Sequence, residues 1–375
     1  MKTILVVMAI FLFANCFYSD KKNMGTSVSL EKSNRDTLLP CDDIYEYYEG
    51  KIANEFVNLF LRKDITHSAY YYGYMYKSKE VKPMILEGRK ELTDIEGTKM
   101  EASFESHVSL YKQKYKIISE ELILTYLPYG PEVLGDEFGL WGTKFNNEYK
   151  GKNYTRRKGV GDEYKWRETF DLKKIPVKTP FETYFYALKG LNKNWRDTVM
   201  VVFPKKYKNE MELIAFDKST TIYKEITKLE TQGKDFTSVN TPSHIKTYII
   251  YDKDNLLSFM LDNYSEIQCF NFFKDEKIEL SKIISLKDTT TLLNIIRNKA
   301  LLELKKIDHV RDSIDSIADS LNIRYNYAIT PKGLLFSYSA KNHELINEIY
   351  NYFQIFISYR ELKNILKPEF IKKFD

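Results

Sequence analysis

Tyr70-Tyr71-Tyr72-Gly73-Tyr74-Met75-Tyr76 is the segment of this chain whose residue types most directly suggest recognition chemistry. In an extended strand alternate side chains share a face, which puts Tyr70, Tyr72, Tyr74 and Tyr76 on one side and Tyr71, Gly73 and Met75 on the other. A row of four exposed tyrosines can stack on sugar rings or form a protein-binding patch, because each ring has an apolar body and a polar tip. Turned inward, the same row would cover a sheet face or fill a core. Bond-breaking chemistry is harder to find. Acid pairs occur at Asp42-Asp43, Asp136-Glu137 and Asp162-Glu163, but a glycosidase needs two carboxylates about 5–10 Å apart across a groove. Adjacency in sequence does not supply that, and the pairs read as solvated surface. His67, His107, His244, His309 and His343 are dispersed, with no second His or Cys at metal-ligand spacing. Phosphate loops, nucleophile elbows, His-Glu-x-x-His and Cys-x-x-Cys are all missing from the sequence. The expectation is a protein that is not an enzyme and uses no metal and no cofactor.

Cys16 is a second chemical handle. Lys2 precedes an apolar run from Ile4 to Phe13, then the exit Ala14-Asn15-Cys16 and the polar Ser19-Asp20-Lys21-Lys22-Asn23. A cationic end, a short apolar core and a small-residue exit make a secretion signal. A membrane-spanning helix takes roughly twenty apolar residues, more than this run or any later one offers. Phe13-Ala14-Asn15-Cys16 resembles the loose lipid-attachment motif of Bacteroidetes lipoproteins, with Asn15 in place of the usual Gly, Ala or Ser. That resemblance implies acylation of Cys16 and a membrane anchor, each buried methylene contributing about 0.8 kcal/mol; a plain signal peptide cut nearby is the alternative. Either way the chain is expected outside the cytoplasm, in the periplasm or outer membrane, the cell surface included.

Composition narrows the partners. The formal charge is +5, from 57 basic and 52 acidic residues spread along the whole length. Nucleic-acid binding calls for a concentrated basic face, and the densest cluster, Arg156-Arg157-Lys158, is short and reads as a solvated loop. The 29 Tyr and 23 Phe suit half-buried pleated surfaces, although an AT-rich genome enriches the same residues. Cys41 and Cys269 could pair in an oxidising compartment or stay as separate buried thiols.

The elements that must position these residues follow from periodicity. Residues 17–40 are polar and aperiodic, and predict a flexible tether. From Asp42 to about Glu148, short apolar runs alternate with turn signals, predicting an antiparallel sheet or small barrel; the runs include Ile44–Ile52, Ala69–Tyr76, Val81–Gly88, Met100–Phe104, Glu121–Tyr126 and Glu137–Gly142. This part resembles a small β-domain of Bacteroidetes lipoproteins. Asn146 to Glu168, dense in Lys, Arg, Gly and Asn, reads as a loop at a domain boundary. Strands are predicted again at Thr183–Ala187, Thr198–Phe203, Glu212–Phe216 and Lys246–Tyr251. Leu292, Leu293, Ile296, Ala300, Leu304, Ile307, Val310, Ile314, Ile317 and Leu321 recur at three- and four-residue intervals, predicting one long helix or two with a break near Asp308. A strand pair about Pro331-Lys332-Gly333, a strand at Phe353–Ile357 and a helix from Tyr359 to Leu366 stopped by Pro368 complete the chain.

Phe272-Phe273-Lys274-Asp275, the helical stripe, Tyr327–Phe336 and Ile357-Ser358-Tyr359-Arg360-Glu361-Leu362 come in an order similar to the C-terminal domain of the anti-sigma-V factor (RsiV) and of peptidoglycan deacetylase C (PdaC). The similar stretch runs from about residue 244 to 368. In that family the Phe-Phe-Lys-Asp-like segment opens a helix. Where the family has a Pro- and Gly-containing loop, this chain has His343-Glu344-Leu345-Ile346-Asn347-Glu348-Ile349-Tyr350, making His343, Glu344 and Tyr350 candidate binding residues whose ligand the family does not define. The resemblance implies an envelope module linked to lysozyme recognition or the cell wall. It implies no catalysis, since the deacetylase portion lies outside the matched stretch.

The combined expectation is an α+β chain: signal 1–16, tether 17–40, a mostly antiparallel β domain 41–150, and a sheet-plus-long-helix domain 170–375. Functionally it reads as a non-catalytic envelope lipoprotein. It would bind the membrane through Cys16 and a wall polymer such as peptidoglycan, a lysozyme-like protein or an envelope partner, but no nucleic acid. A structural lipoprotein without a specific ligand and a cell-wall hydrolase without a recognisable motif are the alternatives.

Overall fold

The computed structural model describes residues 31–32, 44–63, 70–94, 99–101, 117–126, 136–157, 164–187, 198–209, 244–262, 267–305, 318–319, 321–323, 326–339 and 352–372. A two-residue strand β1 (Glu31–Lys32) is followed by the strands of a barrel: β2 (Tyr45–Ile52), β3 (Glu55–Lys63), β4 (Tyr70–Lys77), β5 (Met84–Asp94), β7 (Ile117–Tyr126), β8 (Asp136–Phe145), β9 (Glu148–Arg157) and β10 (Tyr164–Ile175). Each pairs antiparallel with the next, β10 returns to β2, and β4 pairs with both β3 and β5, so the ring of eight closes on itself. Closure removes exposed strand edges. The short β6 (Lys99–Glu101) extends β5 where β4 has ended. Tight two-residue turns set the register. Asn146-Asn147 joins β8 to β9 with both residues at positive φ, 45° and 64°, matching the twist of the paired strands.

The predicted loop and boundary between Asn146 and Glu168 therefore fall inside the barrel, which runs on to Ile175. Sequence patterning hid β9 because Tyr149 is its one large apolar inward residue, followed inward by glycine and asparagine. Tyr149 and Gly151 point inward with Asn153, while Lys150 and Lys152 face solvent. Gly142 and Gly151 stand opposite each other, and a Cβ on Gly142 would come within 2.8 Å of the Phe170 ring. Glycine here is space yielded to an aromatic, and the barrel is a filled core of Tyr48, Leu59, Leu86, Leu124, Leu140, Tyr149 and Phe170 among others.

One end of that core is ionic. Lys144 Nζ donates to both oxygens of buried Glu46, at 2.8 and 2.6 Å, Tyr48 donates its hydroxyl at 2.8 Å, and Lys174 lies 3.9 Å away. Burial pushes the Glu46 carboxyl up, but the attraction and hydrogen bond of Lys144, with Lys174 and Tyr48, outweigh it and hold the group below the ordinary carboxylate range.

The rest of the chain builds two further sheets against the barrel's outer wall. β11 (Phe181–Ala187) and β12 (Thr198–Pro204) pair antiparallel, and β12 runs parallel to β13 (His244–Lys253). β13, β14 (Leu256–Asp262), β15 (Ile267–Phe273) and β16 (Glu276–Lys277) continue as a meander. β17 (Tyr327–Thr330), β18 (Gly333–Ser339) and β19 (Tyr352–Ser358) form a three-stranded sheet. Asn271 joins these two sheets: its Nδ2 donates to the Tyr327 carbonyl at 2.9 Å and its Oδ1 accepts from Ile329 N at 2.7 Å.

The architecture is thus mostly antiparallel β. The helices are α1 (Leu280–Ile283), α2 (Thr289–Leu304), α3 (Tyr359–Leu362) and α4 (Pro368–Ile371). Leu292, Ile296, Ala300 and Leu304 of α2 are buried, as the stripe predicted; this helix has 16 residues and ends before the alternative break near Asp308, and Ile307, Val310, Ile314 and Ile317 lie outside the described residues. Phe272 to Asp275 opens no helix. Lys274 and Asp275 have φ of 46° and 71° and turn β15 into β16. Ser358 and Glu361 form a capping box that starts α3, and Pro368 begins α4 where it was expected to stop a helix. Glu212–Phe216 lies outside the described residues.

Because its carboxyl is held low, Glu46 contributes stability above the ordinary carboxylate pKa, and that contribution is lost as pH falls through its lowered value. Lys144→Met leaves the carboxylate buried with weaker compensation. It should cost about 3–5 kcal/mol at neutral pH, with the deficit shrinking in acid as Glu46 takes up a proton. Urea unfolding of both proteins across the acid range measures this, and a deficit independent of pH would contradict it.

Candidate functional site

The tyrosine row of β4 does lie on one face, the barrel's outer wall, but its members differ in what covers them. Tyr74 is 3% exposed and packs with Tyr248, Ile250 and Met260 while accepting from Gln354 Nε2 at 2.9 Å. Tyr76 stands edge-on to Phe60 and Tyr251 and donates its hydroxyl to the Ile250 carbonyl at 2.8 Å. Tyr72 meets Tyr248 edge-to-face at 6.1 Å. These three rings are cement between barrel and sheet. Tyr70, at the end of the row, lines a surface trough instead.

That trough, about 360 Å³, is walled by Tyr70 with Arg89 on one side and by Trp141, Tyr154, Tyr164 and Arg156 on the other. Ile123, Thr125 and Glu87 lie between. The aromatic wall is built across three strands. Tyr154 is directly opposite Trp166, and Arg156 opposite Tyr164. Tyr154, 2% exposed, is the hub: Trp141, Tyr164 and Trp166 meet its ring edge-on at 6.5, 5.2 and 6.2 Å, and its hydroxyl is 3.0 Å from Thr125 Oγ1. Gly139 admits that ring, since a Cβ there would collide with it. Tyr164 and Trp166 stack at 6.1 Å and 21°, and Trp166 remains 49% exposed.

Polar groups fix the rings. Trp141 Nε1 donates to Glu121 at 3.1 Å, and the Arg156 guanidinium lies over the Tyr164 ring at 5.4 Å. Burial raises the Glu87 carboxyl above its ordinary range, partly countered by a hydrogen bond from Tyr72. Rigid rings with flanking charges and amphipathic tips suit a ligand with apolar C–H faces and polar edges.

A larger cavity, about 660 Å³, lies between Val81-Lys82, α2 and β19. Two of its cations are structurally engaged: Lys299 binds Glu361 at 2.7 Å and the Phe356 carbonyl at 3.0 Å, and Lys332 holds the carbonyls of Ser78 and Glu80 at 2.6 and 2.9 Å. It is a seam between barrel and C-terminal sheet. Cys16, His343, Glu344 and Tyr350 lie outside the described residues, as does Cys41. Cys269 is a buried free thiol whose pKa burial pushes up. Among the described residues no group of three or more His, Cys, Asp or Glu is placed to hold a metal ion, and no helix is long and apolar enough to cross a membrane.

Sequence patterning found Tyr70 and missed Trp141, Tyr154, Arg156, Tyr164, Trp166 and Arg89. Arg156, expected in a solvated loop, is a strand residue that lines the trough. The i,i+2 pairs Tyr154/Arg156 and Tyr164/Trp166 were the available signal, but only strand pairing sets them beside Trp141. No protein-family model matches the chain, and no curated protein does either.

Replacing Tyr74 with Ser removes a buried ring and should lower unfolding free energy by about 3–5 kcal/mol. Tyr70→Ser, at the open end of the row, should stay within about 1 kcal/mol of wild type. Equal losses in chemical denaturation would contradict this division of the row.

Proposed function

We propose that the protein is an exported, non-catalytic binding module of the cell envelope that holds a cell-wall glycan against the aromatic trough on the barrel's outer wall. The observation that carries this reading is the stacked pair of half-buried Tyr164 and exposed Trp166, continuous with Trp141 and held from beneath by buried Tyr154. Solvent-exposed rings fixed in one orientation bind sugar faces without first losing side-chain entropy. In this reading residues 1–16 direct export, acylated Cys16 anchors the chain, and residues 17–40 let the barrel reach the wall polymer. In the same reading the stretch from about 244 to 368 is an RsiV/PdaC-like envelope module, and a lysozyme-like protein is the second partner that this resemblance supports.

Co-sedimentation with purified peptidoglycan tests the reading. Wild type should pellet. Trp166→Ala should bind roughly five- to tenfold more weakly, the loss of one stacked ring at about 1 kcal/mol, with an unchanged melting temperature. Wild type remaining in the supernatant overturns glycan binding. Complex formation with a lysozyme in size-exclusion chromatography would favour the second partner, and release of soluble sugars from the pellet would show hydrolysis. For the anchor, labelling with radioactive fatty acid should mark wild type in the membrane fraction and be lost in Cys16→Ser; an uncleaved cytosolic product would rule out export.

A further inference from the structure

We infer that the trough takes a linear glycan bearing carboxylates, laid across the barrel strands and spanning several sugar rings. This deepens the reading above and rests on it. The strand registers define the shape. Tyr72, Glu87, Thr125, Gly139, Tyr154 and Trp166 are successive cross-strand partners on β4, β5, β7, β8, β9 and β10. Tyr70, Arg89, Ile123, Trp141 and Lys152 form a second row beside them. At the usual spacing between strands, six strands extend about 24 Å, several times the width of one sugar ring. Ile123 and Thr125 lie between the walls, and the Tyr154 ring lies over side-chain-free Gly139 with its hydroxyl 3.0 Å from Thr125 Oγ1, so the aromatic wall begins there and continues to Trp166. A long shallow channel with aromatic rings along one wall suits consecutive units of a polymer better than an isolated monosaccharide.

Two guanidinium groups line the trough, Arg89 beside Tyr70 and Arg156 against Tyr164. The nearby carboxylates have internal duties: Glu121 accepts the Trp141 indole N–H at 3.1 Å, Glu91 sits 3.0 Å from Arg89, and Glu87 accepts from Tyr72. Arg89 is 53% exposed in its pair with Glu91, an arrangement that a ligand carboxylate can join or replace. The planar fork of a guanidinium matches a carboxylate with two parallel donors, a geometry that a neutral hydroxyl cannot reproduce. Arginines at opposite walls therefore select acidic groups recurring along a chain, whether uronic acid carboxylates or carboxylates of peptide stems on a wall polymer.

Intrinsic tryptophan fluorescence on the full mature chain can test this, with oligogalacturonates of two to six rings, their carboxyl-reduced counterparts, N-acetylglucosamine oligomers and soluble peptidoglycan fragments as probes. Affinity for oligogalacturonates should rise at least tenfold from two to six rings and fall at least tenfold on carboxyl reduction. It should also weaken with added salt. The double variant Arg89→Gln, Arg156→Gln should bind acidic and reduced chains equally, with Trp166→Ala weakening both. Carboxyl reduction changes only the ligand, so the charge inference is decided even if the arginine variant folds poorly. Tight binding of peptidoglycan fragments with weak binding of oligogalacturonates would place the carboxylates on peptide stems. Equal affinity for acidic and neutral chains, or no dependence on length, overturns this inference while leaving glycan binding intact. Failure of every glycan, peptidoglycan included, overturns both.

Discussion

A tyrosine buried at an interface must find a partner for its hydroxyl, and this fold is organised around that requirement. Tyr45 and Tyr76 donate to the backbone carbonyls of Thr247 and Ile250 at 3.0 and 2.8 Å, and Tyr47 donates to Asp252 at 3.0 Å. All three rings come from the outer wall of the barrel, and all three acceptors lie on β13. An unpaired hydroxyl in such a place costs about 1–3 kcal/mol, so the bonds set the position of β13 on the barrel as well as holding it there. Asp252 also accepts from Thr179, whose backbone N and hydroxyl lie 3.3 and 3.1 Å away, so the segment leaving the barrel is fixed by the same carboxylate.

The docking of β13 divides the barrel's outer wall. One side, carrying Tyr45, Tyr47, Phe60 and Tyr74, becomes core shared with the C-terminal sheets. The part from Tyr70 round to Trp166 receives no such cover among the described residues; Tyr70, Trp141, Tyr154 and Tyr164 line the trough, and Trp166 stacks on Tyr164 beside it. A closed barrel suits this division because neither side has to supply an edge strand, and the packed interior with its Glu46–Lys144 pair holds both walls in register. The aromatic wall stands on paired strands, which keeps ring positions more constant than loops would. Within it, Gly139 beneath Tyr154 and Glu121 on the Trp141 indole orient the two rings that touch all the others.

The C-terminal part follows the same logic. β14, flanked by β13 and β15 in the meander, is buried along its whole length, and polar Ser258 survives there by donating to Asn271 at 2.9 Å. Asn271 in turn satisfies backbone groups of β17. Buried polar side chains in this region act as stitches between sheets, each with named partners, and α2 closes the outer side with its Leu292, Ile296, Ala300 and Leu304 stripe.

Alternating side chains or an apolar run bounded by turn signals let the sequence by itself determine the element: β4 from its tyrosines, and β12, β17, β18 and β19 from such runs. The α2 stripe was legible for the same reason. β14 left no alternation because both its faces are buried, and β9 and β10 concealed theirs behind glycine, asparagine and lysine; the Asn146-Asn147 and Asp254-Asn255 turns were the readable hints. The sequence also placed Tyr70, Tyr72, Tyr74 and Tyr76 on one face. Only tertiary structure decided that Tyr74 and Tyr76 belong to the core while Tyr70 joins Trp141, Tyr154, Tyr164 and Trp166 at a surface site. Periodicity is local and says which side chains share a face, whereas barrel closure and the docking of β13 are long-range pairings that decide which face meets water.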